Sequence, residues 1–309
     1  MKERIKEILN MAGASAVGFA KAEKVDMPCS KTFTEWLSRK GHADMQYMKN
    51  HPDIRRNPCL LLDGAKTIIS IAFNYYPKQQ RSESLPYISM YAYGKDYHDV
   101  LRKRLSEAVR QIQSEFGGNM RICIDSAPIH ERYWAWKAGL GFQGLNGTLI
   151  LPGKGSFFFL SEIVTTLEIS PDTPLNLSCA ECRKCVEACP GGALKGDCTM
   201  NANRCLSFLT IECRQEWDAS GFKKLPLFGC DICQRVCPHN RHCFPSEISE
   251  FIPSKEMLSY GSADYEKLTE DGFKMLFRGS PVKRAKFEGF KRNLKNVIKS
   301  EIKEQDNFD

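Results

Sequence analysis

The sequence predicts an α/β (or α+β) domain over residues 1–174, a cysteine-dense domain over 175–245, and a short helical, basic C-terminal segment over 246–309. Three observations lead there. Strand-like and helix-like apolar periods alternate through the first part of the chain. Eleven of the fourteen cysteines lie between positions 179 and 243. Residues 270–303 carry ten Lys and Arg against four acids, which puts much of the +7 net charge in one place. At 309 residues there is room for about two domains of roughly 150 residues each. The 42% hydrophobic and 26% charged residues are ordinary for a globular protein with a full core. Fourteen cysteines in so long a chain exclude a small disulfide-stapled scaffold. The strongest apolar run, Ile68–Phe73, is strand-sized and far short of the 18 or so residues of a membrane span. Glu3 and Glu7 interrupt the basic N-terminus and argue against a secretion signal. The expectation is a cytoplasmic protein, away from membranes, whose reduced thiols serve metal or redox chemistry.

The elements follow in order. MKERIKEILN reads as a short amphipathic helix leading into a strand at ASAVGFA. Residues 67–74 (TIISIAFN) are rich in β-branched side chains and predict a buried strand. From Tyr97 to Phe116, apolar residues recur at Val100, Leu101, Leu105, Val109 and Ile112, a helical period that Gly117-Gly118 ends. Arg121–Asp125 predicts another strand, 129–138 a helix closed by Gly139, and 156–166 a further strand. The glycines of GLGFQGLNG follow a helix instead of joining a first strand to its helix, so a dinucleotide-binding fingerprint is rejected. Pro171 and Pro174, just before the cysteines begin, mark the boundary of the first domain.

Cys179, Cys182, Cys185 and Cys189, followed by Pro190, have the C-x2-C-x2-C-x3-C-P spacing of ferredoxin-like paired [4Fe–4S] clusters. Three thiolates from one tight loop hold one cubane, and the fourth, turned away by the x3-Pro segment, ligates the other. A second motif is therefore required, and Cys230, Cys233 and Cys237-Pro238 supply it. Its first cysteine would fall at position 227, which is leucine. Cluster one takes Cys179, Cys182, Cys185 and Cys237. Cluster two takes Cys189, Cys230, Cys233 and a further ligand, with Cys205 preferred over Cys198, Cys213 and Cys243. A zinc site is the competing use of such cysteines, but it wants two pairs per ion and gives no reason for the Cys-Pro endings. Cys29, Cys59 and Cys123 read as small buried hydrophobes.

Longer motifs carry more. YAYGKDYH (91–98), ICIDSAPIHERYWAWKAGLGFQGLNG (122–147) and GSFFFLSEI (155–163) strongly resemble the epoxyqueuosine reductases. So do WLSRKGHADMQYM (36–48), RCLSFLTIE (204–212), GCDICQRVCPHN (229–240) and GSPVKRAKFEGFKRN (279–293). The resemblance runs from about Met1 to Asn296. It implies a monomeric, cobalamin-dependent enzyme that reduces the epoxide of epoxyqueuosine, at the wobble position of certain tRNAs, to the alkene of queuosine. It also implies two [4Fe–4S] clusters fed by an external electron donor, a cobalamin held base-off without a histidine ligand, and Cys205 as the eighth cluster ligand. The first domain becomes the cobalamin-binding one.

On the same ground Asp125 matches the family's proton donor. An acid can serve there if burial lifts its pKa above the usual ~3.9; capping of the helix expected from Pro128 is its alternative use. Tyr97 and His98 match the cofactor-pocket motif, and neither His98 nor His130 is expected to bind cobalt. Gly139, Gly141, Gly144 and Asn146 resemble a turn beside the corrin ring, although a helix C-cap and tight turn is the commoner use of such glycines. Arg56 and Ser207 are further cofactor contacts. In the basic segment, Lys283, Arg284, Lys291 and Arg292 are the candidates for tRNA phosphates. Leu145, Gly147 and His239 depart from the family pattern, where a basic residue, Thr or Ser, and Trp are usual. Two other functions fit the cysteines: a corrinoid reductase of a small molecule, related to reductive dehalogenases, and a non-catalytic electron carrier.

Overall fold

The computed structural model describes residues 1–222 and 225–305. Its strands are β1 (Ala16–Lys21), β2 (Thr67–Asn74), β3 (Tyr87–Ile88), β4 (Met120–Cys123), β5 (Phe142–Gln143), β6 (Leu149–Ile150), β7 (Phe158–Thr165) and β8 (Pro226–Phe228). The expected long helix spans Tyr97–Phe116, capped by the Asp96 side chain. The later helix begins at Glu131, not at Pro128, and has His130 as its N-cap.

Four strands form the main sheet in the order β1-β2-β7-β4, antiparallel throughout. Every residue of β2 is buried, because both faces of the sheet are covered. On one face Ile69, Ile71 and Phe73 meet Leu101, Leu105 and Ile112 of the Tyr97–Phe116 helix. On the other, Ile68, Ala72 and Val164 meet Tyr133, Trp134 and Ala135 of the Glu131–Lys137 helix. A strand buried on both sides reads as a continuous apolar run, the pattern of 67–74. Two residues break the apolar second face at its centre: Ser70 and Glu162 pair across β2 and β7, and both are fully buried.

The cysteine-dense segment is sewn to this domain. β8 adds parallel to β3, and Asp231, between Cys230 and Cys233, accepts hydrogen bonds from Tyr87 Oη, Ser89 Oγ and the Met90 amide. Leu227, where the spacing lacked a cysteine, is fully buried in β8. A core residue of a strand cannot also face a cluster, which explains the gap.

The C-terminal segment is part of the same core, not a separate solvated tail. Phe290, Leu294 and Val297 of the Lys286–Gln305 helix pack into one continuous apolar cluster with Phe73, Leu209 and Phe228. Asn293 donates to the carbonyls of Thr210 and Leu227. The Lys303 side chain and residues 306–309 lie outside the described part. Among the described residues, no helix is long and apolar enough to cross a membrane.

Candidate functional site

β4 ends at Cys123, and the chain turns at Asp125, whose φ of 45° lies in the left-handed region. The Asp125 amide donates to Glu131 Oε1 at 2.6 Å. Its carboxylate meets His98 Nε2 at 3.0 Å, and the other ring nitrogen, Nδ1, is 2.7 Å from Asp96 Oδ1. Asp96 is also the N-cap of the helix that carries His98, so one side chain fixes both the helix start and the imidazole. Tyr97 stacks on His98 and, nearly parallel, on Phe159 with centroids 4.2 Å apart.

A ring with a carboxylate at each nitrogen is held as imidazolium. Hydrogen bonds donated to Asp125 and Asp96 push His98 up from 6.5 to about 9. The expectation that burial raises Asp125 is corrected. Burial does push it up, but His98, the Tyr97 hydroxyl and Arg132 outweigh that and hold it below the ordinary carboxylate range. The side chain is 57% exposed, so water assists the charge. The proton sits on His98, one hydrogen bond from Asp125. Asp125 does not cap the 131–137 helix, which starts six residues later.

Gly141, Gly144 and Asn146 lie on the β5–β6 hairpin. Gly141 has a packing requirement of its own, since a Cβ there would run into the Ile150 carbonyl oxygen. Gly139, with φ 74°, donates to the Trp136 carbonyl and closes the preceding helix. Asn146 Oδ1 accepts from the Thr148 amide and hydroxyl, while its buried Nδ2 has no partner. Arg132 donates to the Gly147 carbonyl and ties this turn to the Glu131–Lys137 helix. Arg56 is exposed, whereas its neighbour Arg55 acts electrostatically on Tyr47 and His130. Ser207 is half-buried, and its amide supports the Cys205 sulfur. A cavity of about 420 Å³, lined by Lys6, Val17, Leu140, Lys154 and Asp172, contains neither Asp125 nor His98.

The cysteines gather in two sets. Cys185 lies within electrostatic reach of Cys179 and Cys237, and Cys237 within reach of Cys179 and Cys182. Cys233 is likewise close to Cys230, Cys205 and Cys189. Cys198 stands beside Cys179 and Cys243 beside Cys237, while Cys213 faces the Gln215 carbonyl. Among the described residues, no three His, Cys, Asp or Glu side chains converge as they would around a single ion. A cubane instead spreads its thiolates over separate iron corners. Burial pushes Cys230 up to about 12 and Cys233 higher still. Thiols so held ionise when metal charge stands beside them, so the donor set fits iron–sulfur clusters. The unpartnered Asn146 Nδ2 fits a cofactor that, like cobalamin, carries peripheral amide carbonyls.

Of the four basic residues expected to meet RNA, Arg292 is removed by the structure. It is 9% exposed, and its guanidinium donates to the carbonyls of Leu209, Cys213 and Gln215. Lys291 reaches the Tyr265 and Glu266 carbonyls. Arg284 is exposed and forked onto Glu212 at 2.9 and 2.8 Å. Lys283 is exposed and acts on Asp96, which places it near the imidazolium. Sequence reasoning missed Asp96, Glu131, Arg132 and Glu162. The only signal for them was their place inside quoted motifs.

Residues 178–240 match the family profile described as a 4Fe-4S double cluster binding domain. With an acid and an imidazolium on the adjoining α/β domain, the chain is an iron–sulfur oxidoreductase. Residues 55–126 match the profile described as Epoxyqueuosine reductase QueG, DUF1730. The epoxyqueuosine reductase of Cyclobacterium marinum is 39% identical over 303 residues, covering 96% of each chain. The structure of epoxyqueuosine reductase from Streptococcus thermophilus aligns with TM-score 0.87 and 30% identity over 97% of this chain and 81% of that one. An epoxyqueuosine reductase crystallised with a tRNA-Tyr epoxyqueuosine-modified stem loop aligns equally, TM-score 0.87, at 28% identity over 96% and 80%. The chain belongs to the epoxyqueuosine reductase family.

Proposed function

We propose that this protein reduces the epoxide of epoxyqueuosine in tRNA to queuosine, using cobalamin and two [4Fe–4S] clusters. The observation that carries this is the proton-bearing His98 bonded to Asp125, in a chain alike to an epoxyqueuosine reductase over 96% of its length. Removing an epoxide oxygen to leave an alkene consumes two electrons and two protons and releases water. Bound cobalamin supplies the two-electron reducing centre.

The chain's own residues do the rest. Cys179, Cys182, Cys185 and Cys237 would hold one cluster and Cys189, Cys205, Cys230 and Cys233 the other, and the pair would supply single electrons drawn from an external donor. Asp125 takes a proton from His98 Nε2 across the 3.0 Å hydrogen bond and passes it to the departing oxygen, the second proton coming from solvent at its exposed face. Asp96 holds the imidazole ring in place from its other nitrogen. Tyr97, Asn146 and Gly144 line the cofactor's place, with Arg56 and Ser207 at its margin, while Gly141 serves the packing of the hairpin. Lys283 and Arg284 meet the RNA backbone, with Lys291 beside them. Residues 1–174 form the cobalamin domain and 175–245 the cluster domain, and the described residues of 246–309 form a helical segment packed on both. A cytoplasmic location accords with reduced cysteines and an RNA substrate.

The test incubates reconstituted protein, cobalamin and a reductant with epoxyqueuosine tRNA and weighs the nucleosides by mass spectrometry. Queuosine should appear with the native chain. It should be lost with Asp125→Ala, although that variant keeps its iron and cobalamin. No queuosine from the native chain would overturn the function; unchanged turnover by Asp125→Ala would overturn the acid's role.

A further inference from the structure

Asp125 holds a backbone conformation that L-residues rarely adopt, and it carries the chemistry while 57% exposed. Something must hold it there. The bond that does so comes from Glu131, whose Oε1 accepts the Asp125 amide at 2.6 Å. Glu131 sits in the first turn of a helix whose next residues, Tyr133, Trp134 and Ala135, are buried against the sheet, so its backbone is rigid. Beneath this helix Glu162, opposite both Ser70 and Cys123 in the sheet, is fully buried, with the Ser70 hydroxyl beside its carboxyl.

We propose that Glu131, backed by Glu162, is a positioning residue for the reaction: it clamps the Asp125 amide and so aims the Asp125 carboxylate at His98. The role rests on Asp125 being the proton donor.

Two neighbouring carboxyls, one of them fully buried, cannot both ionise cheaply. Burial, then the neighbouring Asp125 charge, pushes Glu131 above the usual carboxylate range, and burial together with Glu131 holds Glu162 well above it. These neighbours favour the uncharged form of Glu131. It can accept the amide without placing a second negative charge beside Asp125. The other groups that face it are Arg132 and His98, which favour its ionisation, and Tyr97 and Cys123, whose own ionisation it opposes. As pH rises through Glu131's pKa the clamp gains a charge that repels the carboxylate it holds.

Three substitutions in the cofactor-loaded enzyme separate the outcomes. Glu131→Gln keeps an uncharged acceptor oxygen in the same place; it should hold kcat within about threefold and move the alkaline fall of kcat to higher pH. Glu131→Ala removes the acceptor, and Glu131→Asp withdraws it by one methylene. Each should lower kcat on the order of tenfold, a loss of about 1.4 kcal/mol, with KM for the tRNA stem loop and the iron and cobalamin contents unchanged. If Ala destabilises the fold, the Gln and Asp pair still decides. Native kcat in Glu131→Asp and Glu131→Ala, or a fall in Glu131→Gln as deep as theirs, overturns the clamp while Asp125→Ala remains inactive. An active Asp125→Ala instead removes the acid's role and this one with it.

Discussion

Replacing Arg292 by alanine should unfold the protein more easily and leave its affinity for RNA alone. The residue lies in a basic run that reads as a phosphate-binding surface, yet its guanidinium is turned inward. It donates to three backbone carbonyls at 2.7–2.9 Å and to Asn293 Oδ1. A hydrogen bond to a charged group contributes about 1.5–3 kcal/mol, and a buried acceptor left without a donor costs about 1–3. Bonds that share one donor do not add fully, and the desolvation that Arg292 suffers in the folded state is relieved by its removal. The net loss should be about 3–5 kcal/mol, or a fall in midpoint on the order of 5–10 °C for a chain of this size. Far-UV circular dichroism against temperature measures it, and binding of an anticodon stem loop at several salt concentrations measures the other half. Lys283→Ala is the paired control. Being exposed, it should melt like the native protein while weakening RNA binding and reducing the log–log salt slope by roughly one. An Arg292→Ala protein that melts normally and binds RNA poorly would refute the assignment of this side chain to the fold.

The cluster ligands and the imidazolium allow separate checks. Cys205→Ala should bring the iron content below the roughly eight atoms that two cubanes hold, whereas Cys198→Ala should not; the opposite pair of results would move the ligand. His98 should titrate near 9, because Asp125 and Asp96 both favour its charged form. Its ion pairs therefore stabilise the fold fully below pH 6.5, its ordinary value, and that stabilisation is lost as pH rises through about 9. Histidine NMR signals followed against pH would show it, Asp96→Asn should lower the midpoint, and a native midpoint at 6.5 would sink the Asp96–His98–Asp125 arrangement.

Much of the local architecture was legible in the sequence because local signals carry it. The Tyr97–Phe116 helix was bounded correctly by its apolar period and two glycines. β2 was bounded correctly by its β-branched run. Cysteine spacing singled out seven of the eight cysteines that gather in the two sets, because loop geometry is itself a short-range property. Cys205 needed the resemblance, since nothing near it in sequence shows that it meets Cys189, Cys230 and Cys233.

What only the tertiary structure decided is which distant groups face one another. Asp125 was expected to hold its proton through burial, but His98, at the start of an earlier helix and bonded to both Asp96 and Asp125, holds the proton instead. Arg292 and Lys283 look alike as sequence, and they part because one lies against the Leu209–Gln215 carbonyls and the other faces water. Gly141 looked like room for a cofactor until the second strand of its hairpin supplied the Ile150 carbonyl. Periodicity and spacing report on neighbours along the chain. Protonation, desolvation and hydrogen-bond satisfaction depend on neighbours through space, and those exist only once the sheet, the cysteine loops and the final helix have closed on one core.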